Sequence, residues 1–129
     1  FDFYVNNETI NYLGVTDDVK KILINTDCVV LPSYREGMSK ALIESSLMGI
    51  PIVTTDVPGC KDVIENNVTG FLCKVKDSED LSKKMIKILN LSKKDFNVMK
   101  LESRKRAVRL FDDRLVINTY FKEVKNIFY

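Results

Sequence analysis

The feature that most constrains the fold of this chain is a series of short apolar runs alternating with amphipathic segments. Every residue of Cys28–Leu31 is apolar, as expected of a strand with helices over both faces of a parallel sheet. Pro51–Thr54 and Phe71–Val75 are further strand-like runs, and helical patterns and Gly/Pro turns separate the three. This alternation predicts an α/β fold with a Rossmann-like, doubly wound parallel sheet flanked by helices.

The segments before this sheet are less regular. Asp2–Val5 and Ile10–Leu13 have the composition of weak strands, and Asp17 or Asp18 can cap a short helix that carries Val19, Ile22 and Leu23 inward. Asp2–Val5 is too weak to serve as a well-formed first strand. We therefore expect the true first strand to lie upstream of Phe1.

The remaining segments predict helices, and the last third of the chain predicts helices only. Asp77 or Ser78 is expected to cap one of them, whose inward positions would be Leu81, Met85, Ile88 and Leu89. The predicted helices are Ser39–Met48, the short Lys61–Glu65, the one that begins near Asp77, Ser92–Leu110, and Asp113–Phe128 with Val116, Tyr120, Val124 and Ile127 on one side.

Composition limits the possible functions. The chain has 129 residues, enough for one domain, and its net charge of +2 is too small to indicate nucleic-acid binding. Its three cysteines have no C-x-x-C spacing, so Cys28, Cys60 and Cys73 are expected to be buried thiols in a reducing, cytoplasmic compartment. The absence of histidine means that an imidazole base would have to come from outside this chain.

The most informative motif for function is Pro32–Glu44, which reads PSYREGMSKALIE. It places Glu36 in a loop at the carboxyl end of a buried strand and Glu44 inside the next helix. Ligands bind at this edge of open α/β sheets, and the free N–H groups of a helix start suit an anion. A carboxylate repels a phosphate group because both are negatively charged. These glutamates are therefore better suited to accept hydrogen bonds from hydroxyls. The motif predicts sugar or ribose hydroxyls beside a phosphate.

From about Tyr12 to Tyr120 the chain resembles the C-terminal, donor-binding domain of retaining GT-B glycosyltransferases of the family-4 type. YLGVTDDV resembles the loop beneath the nucleotide base, and DCVVLPSYREGMSKALIE matches the Glu-x7-Glu motif with its preceding strand. SLMGIPIVTTDVPGCKDVIENNVTGFLCKVKDSEDL matches the stretch that follows. The resemblance implies one half of a GT-B fold, with residues 1–129 forming part of the C-terminal domain of a larger two-domain enzyme.

The resemblance also implies roles for individual residues. Glu36, in the catalytic position, would contact hydroxyls of the donor sugar, and Glu44 would accept hydrogen bonds from the ribose. Main-chain groups would bind the rest of the donor: Val15 and Thr16 the base, Gly37, Met38 and Ser39 the sugar, and Lys40 and Ala41 the diphosphate. Many relatives have Gly or Pro at the position of Ser39, where a good N-cap residue preserves the turn.

The function implied by the resemblance is hexosyl transfer from a nucleotide-diphospho-sugar, expected to be UDP-linked. The acceptor would be a glycan or a lipid-linked saccharide of bacterial capsule or polysaccharide biosynthesis. No metal or other cofactor is expected, because helix N–H groups can hold the diphosphate. The family's catalytic histidine and diphosphate-gripping basic pair would belong to the missing N-terminal domain and upstream segment, so this chain alone is expected to be inactive.

Two other classes of protein compete with this interpretation. One is another GT-B-shaped enzyme, such as a nucleotide-sugar epimerase or a phosphorylase, although their catalytic acids or cofactor lysine motif do not occur here. The other is a catalytically silent sugar-nucleotide-binding subunit. The N-terminal domain, with or without its histidine, would distinguish them.

Some charged residues also have two interpretations. Arg35 is either a surface charge or a partner of Glu36, and Lys40 either adds positive charge near the phosphate or is an ordinary surface lysine. The basic cluster Arg104-Lys105-Arg106 with Arg109 could meet an anionic membrane surface. We favour a solvated helix face for the cluster, and peripheral membrane association stays open.

Overall fold

The computed structural model describes residues 9–128, except for the side chains at positions 115, 116, 124 and 126–128. The predicted strand Asp2–Val5 lies outside the described residues. So do the side chains of Val116, Val124 and Ile127, which the sequence places on one side of the last helix. Tyr120, their predicted neighbour, is described and is 69% exposed.

Three parallel strands form the centre of the fold, in the order β1-β2-β3. Val30 pairs with Val53, and Val53 with Phe71. The predicted doubly wound parallel sheet is therefore confirmed. Because all three strands run in the same direction, their carboxyl ends meet at one edge of the sheet. In chain order the elements are α1 (Val19–Leu23), β1 (Val29–Leu31), α2 (Lys40–Leu47), β2 (Ile52–Thr55), β3 (Gly70–Cys73), α3 (Ser78–Leu89), α4 (Lys93–Phe111) and α5 (Asp113–Phe128).

The core has two parts, one on each face of the sheet. Successive residues of β2 point to opposite faces, so Ile52 joins Leu42 of α2 on one face and Val53 joins Ile88 of α3 on the other. All four of these side chains are buried. Full burial of such a side chain contributes about 1.5–3 kcal/mol. The central strand β2 therefore connects both halves of the core.

Two helix starts have the predicted capping bonds, whereas Asp18 at the start of α1 makes no side-chain capping bond. The Asp77 carboxylate accepts the Asp80 N–H at 2.8 Å at the start of α3, and the Ser92 hydroxyl accepts the Asp95 N–H at 3.1 Å at the start of α4. Gly49 follows α2 with a φ of 72°, a left-handed conformation that suits glycine. The predictions for Asp77, Ser92 and Gly49 are confirmed.

Two predicted elements are wrong. Residues 10–13 form no strand, since Ile10 and Leu13 are 42% and 60% exposed and no described strand pairs with them. Residues 61–63 form turns and residues 64–65 no regular element, so the predicted helix is absent. The Val63 N–H bonds to the Cys60 carbonyl three residues back, as in a turn, and the Thr69 hydroxyl accepts the Glu65 N–H.

Three inward positions are also wrong, and two of them, Val19 of α1 and Met85 of α3, are 39% and 41% exposed. Ile88 is buried in α3, but Leu89 is 81% exposed. Adjacent residues of a helix are rotated by about 100°, which follows from 3.6 residues per turn. Leu89 is thereby turned away from the face that Ile88 buries against the sheet.

The contact between β2 and β3 depends on a glycine. A Cβ at Gly70 would lie 2.1 Å from the Ile52 carbonyl oxygen, an atom of the neighbouring backbone. We expect Gly70→Ala to lower the free energy of unfolding by about 1–3 kcal/mol, the usual cost of overpacking, or more. Chemical denaturation measures it, and Gly37→Ala is the control because a Cβ at Gly37 meets nothing within 4 Å. Equal stability of the two variants would contradict the tight pairing.

Candidate functional site

The loop between β1 and α2 carries Glu36 and is held by the end of β2. The Thr54 hydroxyl donates to the Leu31 carbonyl at 2.7 Å, and the Thr55 hydroxyl donates to the Ser33 carbonyl. Both threonines are at most 1% exposed, so their hydroxyls need these acceptors. The central strand thus fixes the first residues of the loop at the ligand-binding edge of the sheet.

Within the loop, a short hydrogen bond orients Glu36. The Ser33 hydroxyl donates to its Oε1 at 2.6 Å, and the other carboxylate oxygen can accept from a ligand. Arg35 is exposed and forms no salt bridge with Glu36 among the described residues. Of its two interpretations, the structure favours a surface charge.

The start of α2 presents backbone donors. Ser39 occupies the N-cap position, but its buried side chain makes no capping hydrogen bond. The first bond of the helix runs from the Ile43 N–H to the Ser39 carbonyl at 3.1 Å. The N–H groups of Lys40 and Ala41 find no acceptor among the described residues. The first turn contains no acidic residue, so this helix start has the positive potential that suits an anion.

A cavity of about 620 Å³ lies between α1 and α2 and contains Glu44. Lys40 Nζ lies 3.6 Å from Glu44 Oε1. Their side chains are 88% and 39% exposed, and such a surface pair contributes about 0–1 kcal/mol, so a ligand can compete with it. The lining residues are Asp17, Asp18, Val19, Lys20, Leu23, Lys40, Ala41, Glu44, Leu47 and Met48.

The structure therefore brings together three of the predicted site residues, Lys40, Ala41 and Glu44, in one cavity. Val15 and Thr16 do not line it, but they directly precede the lining residues Asp17 and Asp18. Val15 is 94% exposed, and the Thr16 hydroxyl accepts the Asp18 N–H at 3.0 Å. Gly37 and Met38 are exposed in the loop that leads to the cavity.

Sequence reasoning treats Gly59 only as part of a turn, but it supports the Glu36 loop. Its φ is +81°, and a Cβ would lie 1.9 Å from the Gly37 carbonyl oxygen and 2.7 Å from that of Glu36. The Asp62 carboxylate accepts the Gly59 N–H at 2.9 Å. The Pro-Gly pair indicates a turn in the sequence. The sequence does not indicate which other backbone passes close to it.

The cysteines are poorly suited to nucleophilic chemistry. Burial raises the pKa of the Cys28 thiol to about 11 and also raises the pKa of Cys73. Cys60 is fully buried. All three are free thiols, as expected from the sequence. Among the residues that the structure describes, no three or more His, Cys, Asp or Glu side chains are grouped to hold a metal ion.

Much of the basic cluster on α4 has a structural role. Arg104 donates to the Leu47 carbonyl at 3.0 Å and so ties α4 to the end of α2. Arg106 donates to the Val63 carbonyl at 3.2 Å, and Lys105 pairs with Glu102 at 2.8 Å. In the described part of the chain, no helix has the length and apolar character needed to cross a membrane.

The chain is similar to a family profile, to curated proteins and to solved structures. The family profile described as "Glycosyl transferases group 1" matches residues 3–106. A relative from Campylobacter jejuni is N,N'-diacetylbacillosaminyl-diphospho-undecaprenol alpha-1,3-N-acetylgalactosaminyltransferase. It is 33% identical over 119 residues, which cover 92% of this chain and 31% of that protein.

A second relative is the Escherichia coli UDP-Gal:alpha-D-GlcNAc-diphosphoundecaprenol alpha-1,3-galactosyltransferase. It is 29% identical over 100 residues, which cover 78% of this chain and 25% of that protein. The chain thus spans about a third or less of these curated relatives. The solved structure of Anabaena HepE in complex with UDP superposes with a TM-score of 0.81 at 22% identity, over 93% of this chain and 33% of HepE. That likeness shows a shared fold.

The contact of Gly59 with the loop can be tested by substitution. We expect Gly59→Ala to displace the Glu36–Gly37 backbone, because the new methyl group would meet carbonyl oxygens rather than a flexible side chain. Gly14→Ala is the matched control, since Gly14 also has a positive φ, +72°, but is surrounded by open space. Thermal unfolding and amide exchange of residues 33–38 measure the effect. The same unfolding temperature and exchange rates in both variants would refute the close contact.

Proposed function

The chain belongs to the group 1 glycosyl transferases, and we propose that it forms the donor-binding domain of a two-domain enzyme of the GT-B type. The enzyme transfers a hexosyl group from a nucleotide-diphospho-sugar to a glycan or lipid-linked acceptor of bacterial surface polysaccharide synthesis. The observation that carries this proposal is the cavity in which the start of α2 and the Glu44 carboxylate meet. It combines donors for a diphosphate with an acceptor for hydroxyls.

In this proposal the donor lies across the carboxyl edge of the sheet. Glu44 accepts hydrogen bonds from the ribose hydroxyls, and main-chain atoms of Val15 and Thr16 lie against the base. Binding the ribose exchanges the exposed Lys40–Glu44 pair for charge-assisted hydrogen bonds, which are stronger than neutral ones. Lys40 is then free to turn toward the diphosphate.

The diphosphate lies at the start of α2, against the N–H groups of Lys40 and Ala41. Cleavage of the anomeric bond leaves negative charge on the departing diphosphate. Donors fixed where that charge grows stabilise the transition state by several kcal/mol. Their positions are set by the helix and require no reorganisation during the reaction.

The donor sugar lies against the loop, with the N–H groups of Gly37, Met38 and Ser39 facing it. Glu36 accepts hydrogen bonds from its hydroxyls, in an orientation held by the Ser33 hydroxyl at 2.6 Å. Positive charge that develops on the sugar ring is also stabilised by a nearby carboxylate. Glu36 is therefore the residue of this chain that we assign to the reacting centre.

The comparisons support the chemical class of the substrates. Solved structures of HepE contain UDP or UDP-glucose, and we propose a UDP-linked donor here. The Campylobacter and Escherichia relatives are named for undecaprenol diphosphate acceptors, and we propose an acceptor of this lipid-linked kind. The free thiols fit a reducing compartment, so we locate the enzyme in the cytoplasm, at the inner face of the membrane.

The rest of the enzyme completes the site. We propose that an N-terminal domain supplies the acceptor-side histidine, and that the upstream segment supplies the basic pair that grips the diphosphate. Transfer by the two-domain enzyme but not by residues 1–129 is the expected result. If the longer protein binds the nucleotide-sugar without transferring it, the proposal of a silent binding subunit replaces this one.

Replacing Glu44 tests the ribose contact. Loss of hydrogen bonds to a charged group costs about 1.5–3 kcal/mol, so Glu44→Ala should weaken UDP binding by about one to two decades. Glu79→Ala is the matched control, because Glu79 forms a similar exposed pair with Lys83 on α3, away from the cavity. Titration calorimetry with UDP measures both variants. Unchanged UDP affinity in Glu44→Ala would exclude Glu44 from the ribose site.

Removing divalent metals tests the role of the helix start. If the N–H groups of α2 hold the diphosphate, excess EDTA should leave nucleotide binding and sugar transfer by the full-length enzyme unchanged. A loss of more than about tenfold, or 1.4 kcal/mol, that Mg²⁺ or Mn²⁺ restores would contradict this assignment.

A further inference from the structure

A second cavity, of about 450 Å³, opens at the carboxyl edge of the sheet, between the loop after β1 and the loop after β3. It is distinct from the Glu44 cavity, since the two share no lining residue. Its residues come from both loops, the ends of β2 and β3 and the first turns of α3. The lining residues are Pro32, Tyr34, Thr55, Cys73, Lys74, Lys76, Asp77, Ser78 and Leu81.

An exposed aromatic ring forms one wall of this cavity. Tyr34 is 65% exposed, although burial of an aromatic ring is favourable. Lys76 Nζ lies 5.5 Å from the centre of the ring, within the range of a cation–π contact. Lys76 also has a φ of +59°, which is uncommon for a residue with a side chain. The ring and the ammonium group therefore face each other across the two loops.

The cavity suits a neutral, hydroxyl-rich ligand better than an anion. Pro32, Leu81 and the Tyr34 ring offer apolar surface, while lysine ammonium and serine hydroxyl groups offer hydrogen bonds. The Asp77 carboxylate caps α3, and the Asp80 carboxylate accepts the Lys74 N–H at 2.8 Å. The Asp77 carboxylate offsets the positive potential of the helix start, while that of Asp80 also lies 3.8 Å from the Lys84 ammonium group. A sugar ring, with apolar C–H faces and polar edges, matches this combination.

The position of the cavity relates it to the proposed donor site. Tyr34 and Glu36 are two residues apart in one loop, so their Cα atoms are at most about 7 Å apart. The same Ser33 that orients Glu36 is anchored to the end of β2 by Thr55, which lines the second cavity. A sugar ring in this cavity would lie beside the donor sugar.

We infer that the second cavity binds a hexopyranose ring of the acceptor, with the Tyr34 ring as its stacking surface and Lys76 as a hydrogen-bond donor at its rim. This inference rests on the proposed function, because it is the transfer reaction that requires an acceptor beside Glu36. It adds to that function a binding subsite on the donor domain itself.

The test uses methyl N-acetyl-α-D-glucosaminide as the probe and the full-length protein saturated with UDP. Titration followed by NMR should give a Kd on the order of 1–10 mM, typical of a single weakly held ring. Tyr34→Ala should weaken binding of the probe by about tenfold, or 1.4 kcal/mol. Tyr34→Phe is the matched variant, and it should retain binding because it keeps the ring.

UDP affinity, measured for the same proteins, separates this inference from the proposed function. It should be the same in wild type and both Tyr34 variants, which also shows that they are folded. If wild type fails to bind UDP, the proposed function is wrong. If UDP binds normally but the probe does not bind, or binds equally to wild type and Tyr34→Ala, the subsite is wrong and the proposed function stands.

Discussion

The site depends on two buried hydroxyl groups at the end of the central strand. Thr54 and Thr55 donate to carbonyls of the chain that leaves β1, and both are shielded from water. Breaking either bond would leave a buried polar group unsatisfied, which costs about 1–3 kcal/mol. Because β2 also packs against both parts of the core, these two bonds connect the loop that carries Glu36 to the most rigid part of the sheet.

Gly59 holds the same loop from its other side. It leaves no space between its own backbone and the Glu36 and Gly37 carbonyls, so the loop is enclosed between β2 and the turn that follows β2. What remains accessible is the edge that faces a ligand, with the Glu36 carboxylate, exposed Gly37 and Met38, and the start of α2. The fold thus fixes the backbone donors in place. When a ligand binds, only side chains such as Lys40 need to adjust.

The sequence predicts the parts of this structure that depend on local patterns. The apolar run before Pro32, the glycine after α2 and the capping residues Asp77 and Ser92 each carry a local signal, and each prediction is confirmed. The same kind of local signal predicts Glu36 in the loop and Glu44 in the helix, where the structure has them. One failure is non-local, because the strand predicted at Ile10–Leu13 has no described partner. The other is local, since Cys60 and Thr69 supply turn-type bonds where the sequence predicts a helix at residues 61–65. The contact of Gly59 with the Glu36 loop, like the pairing of Tyr34 with Lys76, joins segments far apart in sequence, so no single run of residues indicates it.

The central claim is that a nucleoside diphosphate binds along α2, with its ribose on Glu44 and its diphosphate on the helix start. An experimental structure of the protein with UDP tests it most directly. The account predicts Glu44 carboxylate oxygens within about 2.5–3.0 Å of the ribose hydroxyls, the usual range for such hydrogen bonds. It also predicts diphosphate oxygens against the N–H groups of Lys40 and Ala41. UDP bound elsewhere, or in that cavity with its diphosphate turned away from α2, would contradict the account.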